Sequence, residues 1–178
     1  MTFQRRMTVR YRHPVLLAPD HRLDGFECRS PEQTQWLRFH ARQAHAAGTA
    51  KVLVVSQVDD TQVVAYYAWS MASLQTSAAP QRLLKGAGQY PQPIALLARL
   101  AVAADHEQRG LGAGLLADVI SRTAELGSRI GCRGLLVHAE STSARDFYLH
   151  LVPEFVPSPT DELHLVLLMK DITRSLKS

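Results

Sequence analysis

The sequence contains little cysteine and no long apolar run. Only Cys28 and Cys132 occur, which is too few for a disulfide framework, and neither has the paired Cys/His spacing of a zinc site. The longest apolar stretches, such as residues 93–102, are shorter than the ~20 residues that a membrane-spanning helix needs. The first dozen residues are not followed by an apolar run with a small-residue cleavage site, as a secretory signal would be. We therefore expect a cytoplasmic protein that has no membrane span and binds no metal.

Length and composition indicate one globular domain. The chain has 178 residues, and typical domains have ~100–200. Hydrophobic residues make up 46% and charged residues 20% of the chain, which is ordinary globular usage and excludes a disordered, collagen-like or coiled-coil protein. We predict a single domain over residues 1–178, in which residues 1–12 form a flexible basic tail.

Carboxylates are missing from one long stretch of the chain. No Asp or Glu lies between Asp60 and Asp105, whereas Arg82, Lys85 and Arg99 do. Of the 20 basic residues, 16 are arginine, whose planar guanidinium suits bidentate phosphate binding better than lysine does. The stretch predicts a positive surface on which these three cations bind the phosphates of an RNA substrate. Scattered, solvated arginines would explain the same composition, and composition alone leaves both explanations open.

Turn signals and hydrophobic periodicity predict a mixed α/β sheet with helices on both faces. Ser30-Pro31 followed by Gln33 is typical of a capped helix start, and Gly48 of a helix end. Residues 94–102 are almost wholly apolar, as in a strand that is buried on both faces. The predicted elements are a helix over residues 31–48, strands at 51–58 and 62–71, a long loop at 72–93, a strand at 94–102, a helix from the following glycine turn to about residue 130, a strand at 135–139, a helix at 143–151 and a strand at 163–169.

A glycine-rich turn precedes the long helix. Gly110, Gly112 and Gly114 let the backbone approach a ligand closely, and the unpaired N–H groups of a first helical turn favour an anion such as a diphosphate. A phosphate-binding P-loop is excluded, because Leu115 and Leu116 stand where that motif needs Lys and Ser or Thr. A dinucleotide-binding turn would need a third glycine at Leu115. A turn that only permits tight helix–strand packing stays open as an alternative.

The residues around this turn resemble the acetyl-CoA site of the GNAT N-acetyltransferases. Residues 100–102, then 107–112, then the leucine pair at 115–116 are similar to that family's strand, its signature of Gln or Arg, two residues, Gly, one residue and Gly or Ala, and its helix. Residues 109–114 also satisfy the signature. The spacing to the leucine pair favours residues 107–112, which places Glu107 where the family usually has Gln or Arg.

Further segments resemble one branch of the family, the GNAT toxins of toxin–antitoxin pairs, and residues 155–161 are the most specific of them. The resemblance implies a toxin that acetylates the α-amino group of aminoacyl-tRNA and blocks translation, forms a homodimer, and is neutralised by a ribbon-helix-helix antitoxin. The segments that carry it are residues 24–28, 36–37, 66–67, 99–102, 137–139, 144–148 and 155–161.

The resemblance also implies residue roles. Tyr148 matches the catalytic tyrosine of the family and would protonate the departing thiolate, because a phenol with a pKa near ~10 is protonated at rest. Ser141 stands where many relatives place Asn and would contact the coenzyme. The residues implied to bind acetyl-CoA are Leu100, Ala101, Val102, Glu107, Gln108, Arg109, Gly110, Leu111, Gly112, Ala113 and Ser141.

The chemistry of the acceptor agrees with an α-amine. An α-amino group titrates near ~7.7–8.0 and lysine near ~10.4, so deprotonating lysine at neutral pH costs ~3 kcal/mol more. The sequence offers few bases: Glu140 is the one carboxylate expected at the opening of the sheet, and it would serve equally as a solvated strand end. Two alternatives remain, namely a GNAT enzyme acting on a protein N-terminus or small amine, and a non-catalytic CoA-binding module, which Glu107 would favour.

Overall fold

The computed structural model describes residues 8–177, which build one seven-stranded sheet of order β1-β2-β3-β4-β5-β7-β6. Within the described chain, β4 and β5 form the one parallel pair, and the other neighbours are antiparallel. The strands are β1 (Val15–Leu16), β2 (Lys51–Ser56), β3 (Val63–Leu74), β4 (Gln92–Val102), β5 (Gly134–His138), β6 (Val156–Pro157) and β7 (His164–Leu168).

Helices cover both faces of the sheet, as predicted. The helices are α1 (Pro31–Phe39), α2 (Ala41–Ala47), α3 (Gln81–Leu84), α4 (Leu111–Gly127), α5 (Thr142–Leu151) and α6 (Met169–Lys177). Tyr66 and Tyr67 are neighbours in β3, so their side chains point to opposite faces. The Tyr66 hydroxyl donates to the carbonyl oxygen of Gln33 in α1 at 2.7 Å, and the Tyr67 hydroxyl donates to Asp118 Oδ2 in α4 at 2.7 Å. The expectation of a mixed α/β sheet is confirmed.

Three predicted segments have different bounds in the structure, and one helix was not predicted. The predicted loop at 72–93 is partly regular, because β3 continues to Leu74, which pairs with Gln92, and α3 follows. The helix predicted over 31–48 breaks at His40, whose φ of −124° is not helical. The last strand ends at Leu168, and the missed helix α6 follows, burying Ile172. Cross-strand pairing and burial thus override the weak local signals in these segments.

Part of the segment predicted as a basic tail over residues 1–12 is paired with the sheet. Tyr11 forms an isolated bridge with Gln57, the Arg12 N–H donates to Ser56 O at 2.9 Å, and the Val58 N–H donates to Arg10 O at 3.0 Å. Residues 10–12 are therefore paired with the residues at the end of β2. The backbone N–H and C=O groups along that edge would otherwise lack partners. The remainder of that prediction, at residues 1–7, lies outside the described residues.

A gap opens between β4 and β5. The two strands pair only where Ala95, Leu96 and Leu97 face residues 135–137, and the ladder of β4 with β3 shifts register at Ala98. Beyond that point, the Ala103 N–H donates to Val64 O. Because partners alternate along an antiparallel ladder, the N–H and C=O groups of Leu100 and Val102 point away from β3 and into the gap. The end of β4 therefore presents backbone groups that β3 does not use, beside the glycine turn.

Candidate active site

A cleft of about 490 Å³ lies at the gap between β4 and β5. It is bounded by the end of β4, the glycine turn with the start of α4, and α5. Its lining contains every residue predicted to bind the coenzyme except Arg109, together with Tyr148. Arg109 is exposed, because the chain reverses direction between Gln108 and Gly110, which are both left-handed. Sequence reasoning missed further lining residues, which are His106, Ser143, Ala144 and Phe147.

The glycine turn has the backbone geometry of an anion site. Gln108, with φ of 62°, is the one non-glycine residue at positive φ in residues 8–177, and Gly110 follows with φ of 79°. Gly110 caps α4 without a side-chain hydrogen bond, so the first N–H groups of the helix lack a capping acceptor. Such groups and the positive end of the helix dipole favour a diphosphate. The strain at Gln108 is concentrated where the ligand is expected.

The structure favours one of the two signature alignments. A β-carbon at Gly112 would lie 3.1 Å from Phe147 Cζ, tighter than ordinary contact, whereas a β-carbon at Gly114 would meet nothing within 4 Å. A side chain at Gly112, where α4 and α5 approach each other, would therefore press on the Phe147 ring, whereas one at Gly114 would not. The alignment over residues 107–112 places its two glycines at Gly110, which has a positive φ, and at Gly112, which lies against Phe147.

The acidic residue at the first signature position is paired. Glu107 Oε2 lies 2.7 Å from an Arg29 guanidinium nitrogen just before α1. This ion pair offsets the carboxylate that would otherwise repel a diphosphate. His106 also faces the cleft, and its Nδ1 lies 2.7 Å from the Tyr11 hydroxyl. Burial, with the nearby positive charge of Arg109, lowers the pKa of His106, so its ring is neutral at pH 7.

Tyr148 supplies a buried phenol. Only 5% of the residue is exposed, and the rings of Phe147 and Phe155 pack edge-on against it at centroid distances of 5.3 and 6.2 Å. Burial, and secondarily the charge of Glu140, raise the pKa of Tyr148 well above the usual phenol value. Tyr148 lines the cleft, and its hydroxyl has no hydrogen-bond partner in the described part of the protein. The phenol is thus protonated at neutral pH and available to a ligand.

A hydrogen-bonded network spans the other face of the gap. The buried Gln33 donates from Nε2 to Glu140 Oε2 at 3.2 Å and to Leu100 O at 3.5 Å, and the Ser30 hydroxyl donates to Glu140 Oε1. Glu140 therefore stands, as expected, at the opening of the sheet. Sequence analysis accounted for Gln33 only as a capping-box residue and missed its contact with Glu140, because the two are 107 positions apart.

The three predicted substrate-binding cations do not form one surface. Arg99 lies over the Trp36 ring at 4.9 Å and pairs with Glu32 at 2.7 Å, on the α1 face of the gap. Arg82 and Lys85 line a separate cavity at the opposite end of the sheet. The expectation of a single positive surface is wrong, because folding places Arg99 against α1 and places Arg82 and Lys85 in a different cavity.

The described residues contain neither a metal-binding cluster nor a membrane-spanning helix. In residues 8–177, no group of three or more His, Cys, Asp or Glu side chains could hold a metal ion. Among the described helices, none is long and apolar enough to cross a membrane.

Known proteins resemble this chain in sequence and in fold, although no protein-family model matches it. A tRNA-acetylating toxin of Mycobacterium tuberculosis is 38% identical over 161 residues, which cover 90% of this chain and 94% of the relative. The structure of AtaT complexed with acetyl-methionyl-tRNAfMet has a TM-score of 0.84 at 22% identity and covers 95% of this chain and 99% of that one. A tyrosine-to-phenylalanine mutant of AtaT bound to the C-terminus of the antitoxin AtaR and acetyl-CoA has a TM-score of 0.79 at 21% identity, covering 96% and 99%.

The structural likenesses establish the fold, and the sequence relative establishes the family. The strand, glycine turn and helix of the GNAT acetyl-CoA site occur in this chain in the expected order, around one cleft. The relative spans nine-tenths of the chain at well over a third identity. The chain therefore belongs to the family of tRNA-acetylating toxins, which have the GNAT acetyltransferase fold.

Proposed function

We propose that this protein transfers the acetyl group of acetyl-CoA to the α-amino group of an aminoacyl-tRNA and thereby blocks translation. The observation that carries the proposal is Tyr148, a residue 5% exposed that lines the cleft and whose hydroxyl has no hydrogen-bond partner among the described residues. A protonated phenol that no protein group uses can donate to a ligand in the cleft. Family membership agrees with this reaction, and AtaT, which has the same fold, is complexed with acetyl-methionyl-tRNAfMet.

The coenzyme would lie between β4 and α5. The free N–H groups at the start of α4 would bind its diphosphate, with Gly110 and Gly112 allowing the close approach. The backbone groups of Leu100 and Val102 would hydrogen-bond the pantetheine arm in place of a strand. Ser141 is exposed at the cleft, and its hydroxyl already accepts the Ala144 N–H as the cap of α5. Acetyl-CoA supplies a thioester, whose acyl carbon an amine attacks.

The side chains of this chain would handle two protons. Tyr148 holds the proton that the departing thiolate takes, and its raised pKa keeps that proton in place at neutral pH. Glu140, oriented by Gln33 and Ser30, would accept the proton of the acceptor amine. Because an α-amine is already partly neutral at pH ~7.5, a single exposed carboxylate suffices for this acceptor, whereas a lysine would need a stronger base.

The partners and the cellular location belong to the same proposal. A ribbon-helix-helix antitoxin would neutralise the protein, which would act as a homodimer in the cytoplasm, where charged tRNA is found. The complex of AtaT with the antitoxin AtaR supports an antitoxin partner. The single domain proposed for residues 1–178 agrees with the one continuous sheet over the described residues.

Acetylation of charged tRNA tests the proposal. The purified chain is incubated with acetyl-CoA and bulk aminoacyl-tRNA, and the esters are released and analysed by mass spectrometry. We expect N-acetylated amino acids from the wild type and a fall of ~10²–10⁴-fold in kcat for Tyr148→Phe, without a lower melting temperature. Tyr90→Phe, at a residue 78% exposed, is the matched control.

Two outcomes would contradict the proposal. Unmodified aminoacyl ends after full incubation would exclude this acceptor, and acetylation of a peptide N-terminus at the same rate, insensitive to salt, would replace it. Equal activity of Tyr148→Phe and wild type would remove the proposed role of the phenol.

A further inference from the structure

A basic cavity of about 290 Å³ lies at the far end of the sheet from the cleft. We use this name for the concavity that Arg82, Lys85, Arg133 and Lys170 line, between α3, the start of β5 and the start of α6. Of these four cations, the sequence predicted a binding role for Arg82 and Lys85 alone. Folding adds Arg133 and Lys170 to them from segments about 50 and 85 positions further along the chain.

The charge of this cavity is poorly compensated. Asp171 pairs with Arg82 at 3.2 Å and also with Arg174 at 3.5 Å. Within residues 8–177, no carboxylate lies within 4.0 Å of the charged groups of Lys85, Arg133 or Lys170. Cations held together in a concavity raise the local concentration of anions. The cavity is thus suited to an anionic ligand.

Arg133 is held in place as a preformed donor. Its backbone N–H donates to Pro93 O at 2.8 Å, and its carbonyl accepts the Met169 N–H at 2.9 Å. One guanidinium nitrogen donates to Leu83 O, while the buried Nε has no partner. A buried donor without an acceptor is rare in proteins. The remaining terminal nitrogen of a guanidinium fixed in this manner can donate a charge-assisted hydrogen bond to a phosphate group.

A ligand that contacts both sites must be long enough to reach from the basic cavity to the cleft. The backbone contact of Arg133 with Pro93 places the basic cavity at the start of β4, whereas Leu100 to Val102 line the cleft at its end. Eight residues of strand at ~3.3 Å each separate Pro93 from Ala101, or roughly 26 Å. That span is several times the ~3.4 Å that separates successive charges along one strand of a duplex, so it corresponds to several nucleotides. A mononucleotide cannot reach both sites, but one RNA strand can.

We infer that the basic cavity is a second docking site of this protein, which binds backbone phosphates of the tRNA substrate several nucleotides from the aminoacylated end in the cleft. This inference rests on the proposed function. Phosphate contacts carry no sequence information but set the register of the nucleic acid. The site would thus align the acceptor arm along the sheet and favour full-length tRNA over a short aminoacylated end.

Two substrates of different length test the inference. Initial rates are measured with an aminoacyl-tRNA and with an aminoacylated trinucleotide, which is too short to reach the basic cavity. For Lys85→Gln combined with Lys170→Gln, we expect the ratio of kcat/KM between the two substrates to fall about tenfold. The dependence of log kcat/KM for tRNA on log salt should become shallower by about 1–2. Both lysines are exposed, so the fold should tolerate the change.

Controls separate the site from a general charge effect. Lys51→Gln combined with Arg129→Gln removes two exposed cations elsewhere and should leave both the ratio and the salt slope as in the wild type. Arg133→Lys keeps the charge but loses the guanidinium fork, and should lower the ratio about threefold.

The outcomes distinguish this inference from the proposed function. No acetylation of either substrate by the wild type would overturn the proposed function itself. If the wild type acetylates tRNA and the double lysine variant has the same kcat/KM ratio and salt slope, the inference alone is overturned. An equal loss of kcat/KM on both substrates would overturn it as well. If the double lysine variant acetylates tRNA as the wild type does but no longer binds a polyglutamate peptide, the cavity binds an acidic protein segment instead.

Discussion

Gln33 and Glu140 connect the two sides of the gap in the sheet: Gln33 Nε2 donates to Glu140 Oε2 at 3.2 Å. Gln33 itself is held because its carbonyl oxygen accepts the Tyr66 hydroxyl at 2.7 Å. The start of α1 is thereby joined to the end of β5 beside the cleft that contains Tyr148. In the proposed function this carboxylate would accept the proton of the acceptor amine, which leads to the first prediction.

Replacing Glu140 should produce a defect that depends on pH. Glu140→Gln removes the proton acceptor but keeps the side-chain size, and we expect kcat/KM for aminoacyl-tRNA to fall ~10–100-fold at pH 6.5. At pH 8.5 the α-amine, with a pKa near ~7.7–8.0, is already neutral, so the defect should shrink to a few fold. Rates measured across this range check the prediction, with Glu125→Gln, at an exposed residue of α4, as the control. A defect of equal size at every pH would indicate a structural role only.

Two glycines of the same turn should respond in opposite ways to alanine. Gly110→Ala places a side chain at φ of 79° and should lower the free energy of unfolding by ~1–2 kcal/mol, and it should raise the KM for acetyl-CoA. Gly114→Ala meets open space within a helix and should raise that free energy by ~0.5–1 kcal/mol. Urea unfolding and coenzyme titration measure both effects. Similar coenzyme affinities for the two variants would contradict the assignment of the diphosphate to this turn.

The ion pair of Arg29 with Glu107 should show non-additive effects on coenzyme binding. Arg29→Gln leaves the Glu107 carboxylate unpaired beside the expected diphosphate and should weaken acetyl-CoA binding about threefold to tenfold. Glu107→Gln should leave binding equal to the wild type or tighter, and the double variant should resemble Glu107→Gln. Calorimetric titration of the three variants completes the double-mutant cycle. Additive losses in that cycle would show that the two side chains act independently.

Stability should fall in mild acid. Burial lowers the pKa of His106 and His138, and the stacked His164, whose ring centroid is 3.9 Å from that of His138, contributes to the second shift. A lowered pKa means that the unfolded state binds protons first. The stability from these groups is therefore complete above the unfolded pKa of about 6.5 and is lost as pH falls below it. Urea midpoints at pH 7.5 and 5.5 should differ in this direction, and His138→Gln should reduce the difference.

Local patterns predicted the elements that carry the site. The apolar run of β4, the glycines before α4 and the helix with Tyr148 are signals of adjacent residues, and the structure places each element where the sequence predicts it. Segments such as residues 72–93, with little periodicity, were mistaken for a loop, because pairing of Leu74 with Gln92 is a contact between separate strands. Propensity alone does not register such a contact.

Sequence by itself thus determined the fold class, the glycine turn and the helix that carries Tyr148, since each depends on neighbours along the chain. Only the tertiary structure decided which charges meet. It paired Glu107 with Arg29 and Arg99 with Glu32, joined Gln33 to Glu140, and separated the basic cavity from the cleft. The physical reason is that a charge interacts with whatever lies within a few ångströms, and packing, rather than order along the chain, sets those distances.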